Sequence, residues 1–289
     1  MKYLKTCWIC VVSISLFLLF WGGHVLKSDV PSFLPNIGLR GYVKINPDGR
    51  NQFLEMRCSA CALVSSSGQM LGAGIGGEID STACVFRMNM APTRGYEKDV
   101  GNRTTVRVVS HTSVPLLLRD QNYLLRSSLG TTYVFWGPER HMRQDGKGRV
   151  FNILLKIARE YTGVGIYAVT KERIQYCDQV FENQTGKNRM KTGSFLSTGF
   201  FTMILAMDMC ESIHVYGMVD KNYCSRASNS VVPYHYFERR HVGECRTYRY
   251  HEHVRHGGHR FITEKAIYAQ WAMRHRITFK HPSWSLAKD

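Results

Sequence analysis

The sequence predicts an α/β fold with a mostly parallel sheet flanked by helices. Three observations carry this. Short apolar runs rich in Val, Ile and aromatics recur along the chain. Amphipathic or apolar stretches of helical length lie between them. A 44% hydrophobic fraction over 289 residues is enough to cover both faces of such a sheet. Strands buried on both faces read as continuous apolar runs rather than as alternation, which favours parallel pairing.

In chain order, the strand candidates are Cys61–Ser65, Val85–Met88, Thr105–Ser110, Thr132–Trp136, Ile166–Thr170 and Ile213–Tyr216, with Ile277–Phe279 near the end. Helices fit Gly148–Tyr161, Lys171–Glu182, Thr198–Ser212 and Thr263–His275. No repeat or low-complexity tract breaks the alternation, so residues 51–289 read as one domain. Pro31, Pro35 and Pro47 with scattered Gly give residues 27–50 the character of a short stem.

Cys7 to Leu26 is a twenty-residue run without Lys, Arg, Asp or Glu. As a helix it spans about 30 Å, the thickness of a bilayer core. Lys2 and Lys5 precede it, so the positive-inside rule puts residues 1–6 in the cytosol and the rest in the lumen. A cleaved signal peptide is the competing reading. The run exceeds an ordinary h-region and Trp21-Gly22-Gly23-His24 makes a poor cleavage site, so an uncleaved anchor over 7–26 is expected. Sequons at Asn102 and Asn183 agree with a luminal address, where disulfides are expected among the seven cysteines beyond the anchor.

The net charge of +16 points to an anionic partner. Nucleic acid is a weak choice, because no nucleic-acid motif accompanies the charge. Parallel sheets bind ligands beyond the carboxyl ends of their strands. Ser65-Ser66-Ser67-Gly68, Asn89 and Gly137-Pro138 follow strands in that way. Ser197-Thr198-Gly199 precedes an apolar helix. There the hydroxyls either cap free N–H groups or hold an anion. His251-Glu252-His253 and His256 lack metalloprotease spacing. No Asp-x-Asp is present to hold a cation against a diphosphate, so neither a metal nor a cofactor is expected.

Four blocks in order make a more specific pattern. The first runs from Cys61-Ala62-Leu63-Val64-Ser65-Ser66-Ser67-Gly68 through Arg87-Met88-Asn89 to His111. The second is Phe195-Leu196-Ser197-Thr198-Gly199 through Cys210 and Val215-Tyr216-Gly217. The third is His235-Tyr236-Phe237-Glu238, and the last is His259 with Glu264. Together they resemble the large, small, third and very small sialylmotifs of the animal sialyltransferases. The stretches 65–70, 108–115 and 259–265 are most similar to the N-acetylgalactosaminide α2,6-sialyltransferases acting on sialylated Galβ1,3GalNAc.

The resemblance implies a Rossmann-like, modified GT-A fold in a single-pass type II Golgi membrane protein. It implies an inverting, metal-independent transfer from CMP-sialic acid to the GalNAc 6-hydroxyl of Neu5Acα2,3Galβ1,3GalNAc on O-glycoproteins. The same transfer onto gangliosides, and an inactive sialoglycan-binding relative, stay open as alternatives, as does a homo-oligomer. Ser66, Asn89, Ser197, Thr198 and Gly199 fall where the family holds the donor. Ser66 stands where other branches carry Asn, and Phe200 where many members carry Trp. His235 falls at the histidine that hydrogen-bonds the leaving phosphate and His259 at the base. Cys61–Cys210 matches the disulfide joining the large and small motifs. Cys224–Cys245 and Cys58–Cys84 are expected as further bridges, leaving Cys177 free.

Overall fold

The structure is a computed structural model that describes residues 34–226, 231–238 and 242–286. The expected cytosolic tail, anchor and first part of the stem lie outside the described residues. Among the described residues, no helix is long and apolar enough to cross a membrane.

The core is an eight-stranded sheet. Its strands are β1 (Tyr42–Lys44), β2 (Cys61–Val64), β3 (Cys84–Met88), β4 (Val106–Ser110), β5 (Thr132–Trp136), β6 (Gly165–Val169), β7 (Ile213–Tyr216) and β8 (Ile277–His281). They lie in the order β1-β6-β5-β4-β3-β2-β7-β8. All neighbours are parallel except β1, which runs antiparallel along β6 from Tyr42 opposite Val169 to Lys44 opposite Tyr167. The chain walks outward from β2 to β6, then returns to place β7 on the other side of β2. The order therefore reverses beside β2, which is where open parallel sheets bind ligands.

The larger helices are α1 (Arg149–Glu160), α2 (Lys171–Thr185), α3 (Thr198–Met209), α4 (Glu244–His253) and α5 (Phe261–Ala272). Helix α3 is apolar all round, with Phe200 through Ala206 buried, because it lies in the core and not at its surface. The twofold repeat of each strand sorts its residues onto the two faces. Leu63, Phe86 and Val108 pack with Phe200, Met203 and Trp271 on one face. Ala62, Val64 and Val85 pack with Ile79 and Tyr216 on the other. At the amino ends of β2 and β3, Cys58–Cys84 and Cys61–Cys210 fasten the strands to each other and to the end of α3.

Two elements depart from the sequence reading. Of the segment taken as stem, 27–50, the described part enters the folded domain: Leu39, Tyr42 and Ile45 are buried and β1 pairs with β6. Three residues at a sheet edge are too short to show a period, and the prolines on either side mask them. Helix α4 lies where only a His-rich stretch was evident. It buries Glu244, Cys245 and Tyr248, so its inward face is polar and gives no apolar stripe.

Candidate active site

One cavity of about 200 Å³ opens at the carboxyl ends of β2, β3 and β7. It gathers every position expected to hold donor or carry chemistry: Ser66, Asn89, Ser197, Thr198, Gly199, His235 and His259. Each is delivered by a local rule.

Ser66 and Ser67 lie on the turn that leaves β2. The Ser66 carbonyl accepts the Tyr236 N–H at 2.9 Å, and the Pro233 carbonyl accepts the Gly68 N–H at 3.0 Å. A Cβ at Gly68 would stand 2.5 Å from that carbonyl, so glycine is what lets the His235 segment dock on this turn. Asn89 ends β3 with φ of 46°, a left-handed geometry that asparagine tolerates. Its Oδ1 accepts the Ser110 N–H at 2.9 Å, and Arg107 donates to its carbonyl at 2.8 Å.

Ser197 is the N-cap of α3, accepting the Phe200 N–H on Oγ at 3.1 Å. The Ser197 N–H and hydroxyl both donate to Glu264, the N–H at 2.8 Å. Tyr268 donates to the same carboxylate at 3.3 Å. Motif order names Glu264 but leaves its chemistry open; here it ties the start of α5 to the cap of α3. Burial pushes its carboxyl up to about 7, against the pull of the Ser197 donors. Lys265, beside it, is pushed down to about 8 by the same burial.

The two histidines are held from behind. His259 Nδ1 lies 3.0 Å from the Phe195 carbonyl. A carbonyl only accepts, so Nδ1 carries the hydrogen and Nε2 keeps the lone pair. Burial holds the imidazole below its ordinary pKa, and nearby His251 and Arg260 push the same way, so the neutral form is favoured. His235 Nδ1 lies 2.5 Å from Glu238 Oε1, so a carboxylate orients that ring. A run of rings joins the two imidazoles. His235 packs 4.3 Å from Tyr234, Tyr234 6.0 Å from Phe261, and Phe261 5.2 Å from His259.

The cavity also holds residues that the sequence did not single out, among them Tyr234, Tyr248, Phe261 and Lys265. Glu244, fully buried, fixes the β2 turn: Oε1 accepts the Ser67 hydroxyl at 2.6 Å and Oε2 accepts from Gln69 at 2.8 Å. The His251-Glu252-His253 run does local work. His251 stacks 5.5 Å from His259, and Glu252 accepts the Ile262 N–H at 2.8 Å at the start of α5.

Away from the cavity, Cys224–Cys245 ties the segment before His235 to α4. With the two bridges at the base of the sheet, the described pairings are the three expected, and Cys177 is free and buried. Cys58, Cys61 and Cys84 lie close enough together to suggest a metal cluster, but all three sulfurs are used in disulfides. Asn102 and Asn183 are exposed, on a loop before β4 and on the last turn of α2.

The chain is similar to known proteins over most of its length. The chain is 52% identical over 247 residues to the rat (Rattus norvegicus) alpha-N-acetylgalactosaminide alpha-2,6-sialyltransferase 3, covering 86% of this chain and 80% of the relative. It is 51% identical over 261 residues to the human (Homo sapiens) alpha-N-acetyl-neuraminyl-2,3-beta-galactosyl-1,3-N-acetyl-galactosaminide alpha-2,6-sialyltransferase, covering 90% and 86%. A solved mammalian sialyltransferase in complex with Gal-beta-1-3GalNAc-ortho-nitrophenol aligns with a TM-score of 0.48 at 21% identity, over 78% of this chain and 70% of that one. The family model described as glycosyltransferase family 29 (sialyltransferase) matches residues 39–274, nearly the whole folded domain, and the chain belongs to that family.

Proposed function

We propose that the protein transfers sialic acid from CMP-sialic acid to the GalNAc 6-hydroxyl of Neu5Acα2,3Galβ1,3GalNAc on O-glycoproteins, with inversion and without a metal. One observation carries the reading: His235 and His259 line the same cavity, each with Nδ1 engaged from behind. This leaves each ring its Nε2 for chemistry: the neutral ring of His259 as base, and the ring of His235, as the imidazolium paired with Glu238, as donor.

His259 Nε2 takes the proton of the GalNAc 6-hydroxyl as that oxygen attacks C2 of the sialic acid. The bond from C2 to the phosphate oxygen breaks, and its electron pair leaves with CMP. His235 donates a hydrogen bond to that oxygen as negative charge grows on it. A donor so placed lowers a barrier by roughly 3–4 kcal/mol. Ser197, Thr198, Gly199 and the start of α3 offer fixed dipoles to the donor, with Ser66 and Asn89 on the facing turns. The excess of positive charge suits an anionic donor and an anionic acceptor.

The acceptor assignment draws on the human relative, whose name specifies the sialylated disaccharide. The topology, with its reversal beside β2, supports a Rossmann-like, modified GT-A description. The charge-free run at 7–26, the sequons and three disulfides support a single-pass type II protein of the Golgi membrane with a luminal catalytic domain.

The test uses full-length protein in detergent, CMP-sialic acid, and a panel of sialylated and unsialylated Galβ1,3GalNAc acceptors on glycoprotein and on ganglioside, with and without chelator. The expected product is an α2,6 linkage on the sialylated glycoprotein acceptor, unchanged by chelator. Preference for the ganglioside redirects the acceptor assignment. Donor binding without any product marks an inactive sialoglycan-binding relative.

A further inference from the structure

Lys265 takes no part in the chemistry above, yet it is only 5% exposed and it lines the cavity. Its Nζ stands 3.8 Å over the ring of Tyr248 and 5.9 Å from the ring centre of Phe261. Among the described residues it makes neither an ion pair nor a hydrogen bond. Glu244, Glu264, Glu252 and Asp220 attract it without bonding to it, and each is engaged elsewhere, Glu252 with Ile262 and Thr263 and Asp220 with Asn222 and Arg226. Glu244 accepts from Ser67, Gln69 and Tyr248, and Glu264 from Ser197 and Tyr268. Aromatic faces stabilise a cation but accept no conventional hydrogen bond from its three N–H groups. A buried ammonium is costly to keep unless an acceptor reaches it, and the open side of this one is the cavity.

We infer that Lys265 binds the phosphate of the CMP donor, meeting a non-bridging oxygen from the side opposite His235. The inference deepens the proposed transfer and rests on it. Its position argues for phosphate over any other anion. Tyr248, under the ammonium, packs edge-on 5.9 Å from Tyr234, and Tyr234 lies 4.3 Å from His235. The ammonium and the proposed phosphate donor thus flank one tyrosine pair. Burial lowers the ammonium only to about 8, so it is charged at neutral pH. As the C2–O bond breaks, charge accumulates on the phosphate and the contact strengthens.

The experiment compares CMP with cytidine, which lacks the phosphate, on the wild-type full-length protein and on Lys265→Met. Binding is measured by calorimetry, together with the KM for CMP-sialic acid and the melting temperature. The expected result is at least a tenfold loss of CMP affinity, with cytidine affinity held within twofold, and KM rising with the CMP dissociation constant. Retained cytidine binding shows that the variant is folded. Equal losses on CMP and cytidine overturn the inference in favour of a structural role. Unchanged CMP affinity with a raised KM overturns it in favour of the sialic acid carboxylate. A wild-type protein that binds neither CMP nor CMP-sialic acid overturns the transferase reading itself.

Discussion

The contact between Ser197 and Glu264 joins two helices whose starts both face the cavity, and its strength can be measured. Ser197→Ala removes the N-cap of α3, worth about 1 kcal/mol. It also removes a hydroxyl donor to a buried carboxylate, worth about 1.5–3 kcal/mol. Together the expected loss is about 3 kcal/mol. In a domain of this size that lowers the melting temperature by about 6–12 °C. Glu264→Gln keeps an acceptor for the Ser197 N–H but turns an amide group toward the Ser197 oxygen, and costs about 1–2 kcal/mol. Because the two side chains touch, the double variant should lose less than the two singles combined, by about 1–2 kcal/mol. Urea unfolding of the four proteins at about pH 8, where Glu264 is mostly ionised, gives this coupling directly. Losses that add to within about 0.5 kcal/mol refute the claim that the two residues act as one unit.

Three further outcomes follow from the geometry. Burial lowers the His259 pKa, so the base stays neutral further into acid; the acid limb of kcat/KM, which reads the free enzyme, should have its midpoint below 6.5, and a midpoint above it removes His259 from that role. Gly68→Ala sets a Cβ against the Pro233 carbonyl, so the His235 segment must lift; a cost of about 1–3 kcal/mol is expected, with a drop in kcat of roughly a hundredfold, and wild-type kcat counts against this docking. Cys61–Cys210 closes 149 residues and Cys224–Cys245 closes 21, so loop entropy predicts losses of about 5 and about 3 kcal/mol for Cys210→Ser and Cys224→Ser; the reverse ranking by melting would contradict that account.

The buried strands were legible because each is a compact apolar run that can only be satisfied between two layers. Cys61–Val64 and Thr132–Trp136 fall where the composition predicts them. The short strand Tyr42–Lys44 was not legible, since three edge residues carry no period. Helix α4 was hidden for a different reason: its inward residues are Glu244, Cys245 and Tyr248, and a buried carboxylate is recognisable only once Ser67 and Gln69 are seen beside it. The same holds in the cavity. His235, His259 and the serine turns could be named from motif order, because those residue types bear chemistry in a fixed sequence. Glu264 could be named with His259 in the last block but not given a chemical role, and Lys265 looks like an ordinary helix charge; three-dimensional burial is what shows the part each plays. The second face of the His251 run was missed likewise, because stacking on His259 depends on a turn that brings residues 251 and 259 together.

The carbonyl behind His259 has a kinetic corollary. An amide oxygen is far too weak a base to carry a proton onward, so the ring cannot relay what it collects into the protein interior. Under the proposed reaction, the hydrogen gained at Nε2 must depart by the route the sugar used. Water has to enter the vacated pocket before the imidazole is neutral again, which makes regeneration of the enzyme wait upon product departure.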